Sequence, residues 1–209
     1  GAYLHQGRLC MASGRVLVQR RIADAFVDRM AAHAQQLTVG DPVTSQAALG
    51  PLISERQRDR AHAIVQDSVQ AGARLVTGGR YERLFYQPTV LAGVKPGMRA
   101  FEEEIFAPVV AVTAFDTDDE AVELANRTAY GLSAAVISRS VQRALGVGNR
   151  LHTGLLHIND QTVNDEAINP FGGRGQSGNG TNIGGPANWD EFTQWQWVTV
   201  KDGATRYPL

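Results

Sequence analysis

The residue best suited to chemistry is Cys10, the only cysteine in a chain of 209 residues. It lies in the segment HQGRLCMASGR (residues 5–15), just before an apolar stretch that we predict to be a strand. Gly7 permits a close approach of the backbone, and the Cys10 N–H could point at a reacting oxygen. The thiolate form of cysteine is a strong nucleophile when nearby dipoles or positive charge stabilise it. The alternative for a lone cysteine is a small buried structural side chain, and without other information that alternative is the commoner one.

A second motif, EEEIFAP (residues 102–108), places three carboxylates before an apolar strand. One acid turned inward could accept hydrogen bonds from ribose hydroxyls, with Phe106 stacking nearby. Pro108 keeps the preceding residue extended at the entry to the strand. A solvated turn is the alternative, and the motif alone favours it.

A third cluster of polar residues (159–173) follows directly after a predicted buried strand, and a glycine-dense stretch extends it to residue 180. We expect a loop at the carboxyl edge of the sheet, where α/β proteins place ligands. The glycines do not follow the strand–glycine turn–helix pattern of a dinucleotide fingerprint. A flexible polar surface loop is the alternative.

Several classes of function fit the sequence poorly. The net charge of −1 argues against a nucleic-acid or anionic-membrane surface, and no apolar run is long enough to span a bilayer. The five histidines show no metal spacing and one cysteine cannot build a zinc site, so we predict no metal. The absence of G-x-S-x-G argues against a serine hydrolase. A reducing cytoplasm is the expected location.

The periodicity of apolar residues predicts alternating elements. We expect strands over residues 15–19, 74–77, 87–91, 109–115, 132–138, 155–159 and 195–200. We expect helices over residues 22–37 and 54–72, and after the caps Thr117 and Ser140. This order predicts an α/β fold, a largely parallel twisted sheet with helices on both faces.

Taken in order, the motifs resemble the aldehyde dehydrogenase superfamily over essentially the whole chain. The matching segments are HQGRLC (5–10), GPLIS (50–54), PTVL (88–91), EEIFAPV (103–109), NRTAYGLSAAV (126–136), PFGGRGQSGNG (170–180) and DEFTQWQWVTV (190–200). The family pattern at the nucleophile is Asn-Gln-Gly-Gln-x-Cys, and here His5 and Arg8 replace the Asn and the second Gln. His5, together with HIND (157–160), resembles the benzaldehyde and vanillin dehydrogenase branch, which implies an aromatic aldehyde as substrate.

The resemblance implies a mechanism and a role for each candidate residue. Cys10 attacks the aldehyde to form a thiohemiacetal, its backbone N–H helps to hold the oxyanion, hydride passes to the nicotinamide of NAD or NADP, and the thioester is hydrolysed. The resemblance implies that Glu104 binds the nicotinamide ribose and that Phe106 lies beside the nicotinamide. Phe171 lines the aldehyde pocket, and residues 164–169, with Asn164 and Asp165 at their start, form its entrance.

The resemblance also predicts how the chain is organised. Residues 1–185 are the catalytic domain, and residues 186–209 are a C-terminal segment whose strand joins a sheet of a neighbouring subunit, giving a homodimer or homotetramer. In the family, the general base, the second oxyanion donor and the glycine-rich coenzyme segment lie upstream of the cysteine motif. The chain has no initial Met and opens on that motif. We therefore expect a fragment of a longer enzyme, with negligible dehydrogenase activity on its own.

Two other hypotheses for the function are compatible with the sequence. The first is a coenzyme-independent thiol esterase that uses Cys10 with His5, the only histidine close to it in sequence. The second is a non-catalytic folding and oligomerisation fragment. The first requires a thiol and an imidazole in contact, and the second requires neither.

Overall fold

Strands and helices alternate along residues 1–208, the part of the chain that the computed structural model describes. The strands are β1 (Arg15–Gln19), β2 (Arg74–Thr77), β3 (Tyr81–Glu82), β4 (Phe85–Tyr86), β5 (Thr89–Ala92), β6 (Val109–Phe115), β7 (Tyr130–Gly131), β8 (Ser133–Val136), β9 (Leu155–Ile158) and β10 (Arg174–Gly175). The α-helices are α1 (Arg20–Gln36), α2 (Glu55–Gln70), α3 (Arg99–Glu102), α4 (Asp118–Asn126), α5 (Val141–Gly148) and α6 (Ala187–Phe192). Within these residues no helix combines the length and the apolar character needed to cross a bilayer. The alternation confirms the predicted α/β class.

Three helices begin at the hydroxyl caps that the sequence predicts. The Ser54 side chain accepts a hydrogen bond from the Gln57 N–H at the start of α2, at 3.3 Å. Thr117 accepts one from the Glu120 N–H at the start of α4, at 3.2 Å, and Ser140 caps α5 in the same way. Each cap satisfies an N–H that has no partner within its own helix.

The main sheet has four strands in the order β1–β6–β5–β2. Both β1 and β5 run parallel to β6, with Arg15 opposite Ala111 and Thr89 opposite Val109. In contrast, β2 is antiparallel to β5. The short stretch between β2 and β5 holds only the β3–β4 hairpin, and a short connection suits antiparallel neighbours because parallel ones need a long crossover.

The two central strands, β5 and β6, are buried on both faces. Successive side chains of a strand point to opposite faces of the sheet, and helices cover each face. One core cluster includes Val27 and Ala34 of α1 with Val90, Val110 and Val112. The other includes Ile64 and Val65 of α2 and Phe101 of α3 with Leu91, Val109 and Ala111. Helices therefore cover both faces of the sheet, as predicted.

A second parallel pair, β8 with β9, stands apart from the main sheet. The sequence predicts these strands as a further unit of one largely parallel sheet, but within residues 1–208 no ladder of backbone hydrogen bonds joins β8 to β1. Side-chain hydrogen bonds of Ser13, Ser133 and Thr162 make the connection instead. The strands β7 and β10 form a further, short antiparallel pair.

The predicted strand over residues 195–200 is not a strand in the single chain. The side chains of Trp195 and Trp197 are 103% and 92% exposed, and no neighbouring strand pairs with this segment among the described residues. A strand exists only through hydrogen bonds to a partner strand, so the single chain leaves this one unformed. Pairing with another subunit, and the boundary between residues 185 and 186, stay predictions.

Ser68 joins α2 to α3 inside the second core cluster. Its side chain is fully buried, and its hydroxyl donates to the Ile64 carbonyl at 2.7 Å. The same oxygen accepts the Ala100 N–H at 2.9 Å, which satisfies the first turn of the four-residue helix α3.

We expect Ser68→Ala to lower the free energy of unfolding by about 1–3 kcal/mol, because it leaves the buried Ala100 N–H without a partner. Urea unfolding of the purified protein measures this change. Ser45→Ala is the matched control, since the exposed Ser45 donates only to the Asp41 carbonyl and its loss should cost less than about 0.5 kcal/mol. Equal effects of the two substitutions would contradict the assignment.

Candidate active site

The segment before Cys10 adopts a strained, left-handed backbone. His5, Gln6 and Gly7 have φ angles of 47°, 58° and 66° within a short 3₁₀ turn. Only glycine adopts this region without strain, and non-glycine residues there cluster at functional sites. A Cβ added at Gly7 would also collide with the carbonyl oxygen of Ala107. The predicted close approach at Gly7 is therefore real, and it is made to the EEIFAP segment.

Cys10 lies at the centre of a tight turn. The Ala12 N–H donates to the Leu9 carbonyl at 3.0 Å, so Cys10 and Met11 are the two central residues of the turn. The Cys10 side chain is exposed, which does not fit the alternative of a small buried thiol. Within residues 1–208 its sulfur makes no hydrogen bond, to His5 or to any other residue. The structure therefore offers an accessible thiol without a thiol–imidazole pair.

The second motif forms a turn between α3 and β6, and a side chain of α2 is hydrogen-bonded to this turn. Phe106 has a φ of 55°, again in the left-handed region. The Gln57 side chain in α2 donates to the carbonyls of both Ile105 and Phe106, at 3.0 Å each. The sequence identifies Gln57 only as part of a cap, and nothing in its local pattern indicates this second contact. Gln57 fixes the turn that carries Glu104 and Phe106.

The three neighbouring carboxylates have different partners. Glu102 accepts the Gly97 N–H at 2.8 Å. Hydrogen bonds from the Arg99 guanidinium lower the pKa of Glu103 below its usual value, and the charge of Arg60 adds to the effect. Glu104 is exposed and has no hydrogen-bonded partner among the described residues, so it is the carboxylate of the three that is free to accept a ligand.

The parallel pairing of β1 with β6 brings the first two motifs together. Because the two strands run in the same direction, the segments that precede them meet at the same edge of the sheet. The Arg8 guanidinium lies over the ring of Phe106, 5.6 Å from its centroid, as a cation–π contact. Cys10, Glu104 and Phe106 are therefore on adjoining segments.

The three predicted pocket residues, Asn164, Asp165 and Phe171, line one cavity of about 280 Å³. Phe171 is half-buried, whereas Asn164 and Asp165 are exposed. His157 also lines the cavity, and its Nε2 atom is buried without a partner in the described part of the chain. Cys10 is not among the lining residues. No group of three or more metal-binding side chains is present within residues 1–208.

The segment that follows β9 reaches the Cys10 turn by doubling back. Asn159 accepts the Ser138 N–H just beyond the carboxyl end of β8, the edge at which the sequence predicts a loop. The carbonyl of Thr162, however, accepts the hydroxyl of Ser133, the first residue of β8. The segment therefore begins at the carboxyl edge, and the hydrogen bond of Thr162 then returns the chain to the opposite end of β8.

Sequence comparison decides the family. The sequence model described as "Aldehyde dehydrogenase family" matches residues 1–198. The chain belongs to the aldehyde dehydrogenase family. The resemblance inferred from the ordered motifs is thereby confirmed.

Individual aldehyde dehydrogenases match the chain from end to end. It is 49% identical over 210 residues to a vanillin dehydrogenase of an Amycolatopsis species and 48% identical over 209 residues to the benzaldehyde dehydrogenase [NAD(+)] of Pseudomonas putida. Each match covers 100% of this chain but 43% of the relative. The solved structure of a salicylaldehyde dehydrogenase from Pseudomonas putida G7, complexed with salicylaldehyde, superposes with a TM-score of 0.93 at 36% identity, covering 100% of this chain and 43% of that one.

We expect Gly7→Ala to slow alkylation of Cys10 by iodoacetamide roughly tenfold, because the added methyl group forces the Cys10 segment away from Ala107. Mass spectrometry follows the reaction without ambiguity, since Cys10 is the only cysteine. Gly14→Ala is the control, because Gly14 lies in the same segment with no atom within 4 Å of an added Cβ. A wild-type alkylation rate in folded Gly7→Ala protein would refute the close-approach argument.

Proposed function

We propose that this chain is the nucleophile-bearing part of an enzyme that oxidises an aromatic, benzaldehyde-like aldehyde to its carboxylic acid with NAD(P)+. The observation that carries the proposal is an exposed Cys10, in a tight turn, on a segment that lies against the Glu104–Phe106 turn of an aldehyde dehydrogenase chain. The names of three similar proteins, which refer to vanillin, benzaldehyde and salicylaldehyde, support an aromatic substrate.

Cys10 performs the covalent chemistry. Its thiolate attacks the carbonyl carbon, a C–S bond forms, and the carbonyl oxygen becomes the oxyanion of a thiohemiacetal. In this proposal the backbone N–H of Cys10, a central residue of the turn, donates to that oxygen. NAD(P)+, when bound, supplies the hydride acceptor that the oxidation needs. Water then cleaves the thioester on Cys10, which releases the acid and restores the thiolate.

Glu104 and Phe106 fit the nicotinamide end of such a coenzyme. The Glu104 carboxylate is exposed and unpartnered among the described residues, and a carboxylate is suited to accept hydrogen bonds from two ribose hydroxyls. Phe106 presents a half-buried ring on the next turn of backbone, held by Gln57. The name of the Pseudomonas putida relative specifies NAD(+), which favours NAD.

Phe171, Asn164 and Asp165 form the proposed substrate pocket and its entrance. They line the same cavity, with the apolar ring of Phe171 available to contact an aromatic substrate and the two polar side chains at the solvent side. The exposed Trp195 and Trp197 support a homodimer or homotetramer in which the terminal segment adds a strand to a neighbouring subunit.

In the full-length protein that contains this chain, we expect Cys10→Ser to lower NAD(P)-dependent oxidation of benzaldehyde roughly 10³-fold or more, because a serine hydroxyl at this position is a far weaker nucleophile. Absorbance of the reduced coenzyme measures the rate. Binding of the coenzyme serves as the control and should persist in the variant. Oxidation that survives the substitution would overturn the role of Cys10. Hydrolysis of an activated ester that Cys10→Ser abolishes and NAD(P)+ does not affect would instead favour a coenzyme-independent thiol esterase.

The 209-residue chain alone should oxidise benzaldehyde at least roughly 10³-fold more slowly than the full-length protein. The reason is that the resemblance implies a general base and a second oxyanion donor upstream of the cysteine motif. Both proteins are assayed with NAD+ at equal molar concentration of Cys10, counted by alkylation. Comparable rates would show that residues 1–209 contain all the groups that the reaction requires.

A further inference from the structure

Thr162 connects the pocket segment to the turn that holds the nucleophile. Its hydroxyl is 2.6 Å from the Met11 carbonyl oxygen, although the two residues are 151 positions apart. Met11 directly follows Cys10 and is the second central residue of the turn. Thr162 also lies two residues before Asn164, which lines the cavity.

The carbonyl acceptors fix the direction of every hydrogen bond in this cluster. The Met11 carbonyl can only accept, so the Thr162 hydroxyl donates to it. The Ser13 hydroxyl, 2.7 Å from the Thr162 oxygen, must then donate to Thr162. Ser133 donates its own hydroxyl to the Thr162 carbonyl at 2.7 Å. Thr162 is therefore held at both its backbone and its side chain, so it can act as a fixed anchor for Met11.

We propose that Thr162 is a positioning residue for Cys10, holding the turn through Met11 and linking its geometry to the pocket segment. Two hydrogen bonds define the turn: the one between Ala12 and Leu9 closes it, and the one from Thr162 orients its third peptide group. The effect on Cys10 itself depends only on this geometry. The effect on aldehyde oxidation rests on the proposed function.

Thr162→Val and Thr162→Ser test the proposal in the full-length protein. Valine keeps the shape of threonine and removes the hydroxyl, whereas serine keeps the hydroxyl and removes a methyl group. We expect Thr162→Val to reduce both the alkylation rate constant of Cys10 and the first-turnover rate with benzaldehyde by roughly tenfold. Thr162→Ser should stay within about twofold of wild type, and KM for NAD+ should be unchanged to about twofold in both variants.

Thr153→Val is the matched control, because the Thr153 hydroxyl donates within its own segment to the Leu155 carbonyl, at 2.9 Å. It should leave the alkylation rate constant unchanged. If Thr162→Val does not fold, Ser13→Ala replaces it: this variant removes one donor to Thr162 and should slow alkylation by about threefold. A wild-type alkylation rate in folded Thr162→Val or folded Ser13→Ala would overturn the positioning role. Equal slowing by Thr162→Val and Thr162→Ser would overturn it as well.

The two proposals fail in different ways. Slower alkylation of Thr162→Val in a protein that oxidises no aldehyde would support the positioning role and refute the proposed function. Normal alkylation of that variant in an active dehydrogenase would refute the positioning role alone.

Discussion

The parallel pairing of β1 with β6 is the constraint on which the site depends. Their register, with Arg15 opposite Ala111, sets the ends of two segments that are about a hundred residues apart in sequence. Both strands are anchored by a sheet that helices cover on each face, so neither segment can shift without disturbing a buried core. Cys10 and Glu104 are on loops, but the positions of those loops are decided by rigid strands.

Hydrogen bonds from other parts of the chain fix the conformations of the two segments that the strands bring together. Gln57 holds the turn around Phe106, and Thr162 holds the turn around Cys10. Both contacts end on backbone carbonyls. The contact from Gln57 helps to explain how the left-handed backbone of Phe106 persists, because the surrounding structure over-determines it. The buried β strands set the distance between the two segments, and the side-chain contacts set their conformations.

Much of the fold follows from local sequence. The boundaries of β1, β2 and β6 match the apolar runs, and Ser54 and Thr117 cap their helices as the spacing predicts. These features depend on residues within a few positions of one another. The antiparallel direction of β2 and the separation of β8 from the main sheet could not be predicted, because both depend on hydrogen bonds between distant segments.

The site was predictable to the extent that its residues stand in contiguous motifs. Cys10, Glu104, Phe106 and Phe171 all belong to such motifs, and the structure places the first three on adjoining segments. The role of Thr162 could not be predicted, because its partner Met11 lies 151 residues away and a threonine in a polar loop belongs to no recognisable pattern. Contacts between residues so far apart in sequence are seen only in the folded chain.

The left-handed backbone at His5 limits which residues fit this position without strain. The cysteine motif that this segment resembles has asparagine at this position, and this chain has histidine. These two residue types share little chemistry, but both enter the left-handed region more readily than most others. With φ at 47°, the position selects for backbone conformation first and for the side chain second. Asparagine and histidine are thus among the few residue types that this backbone accepts with little strain.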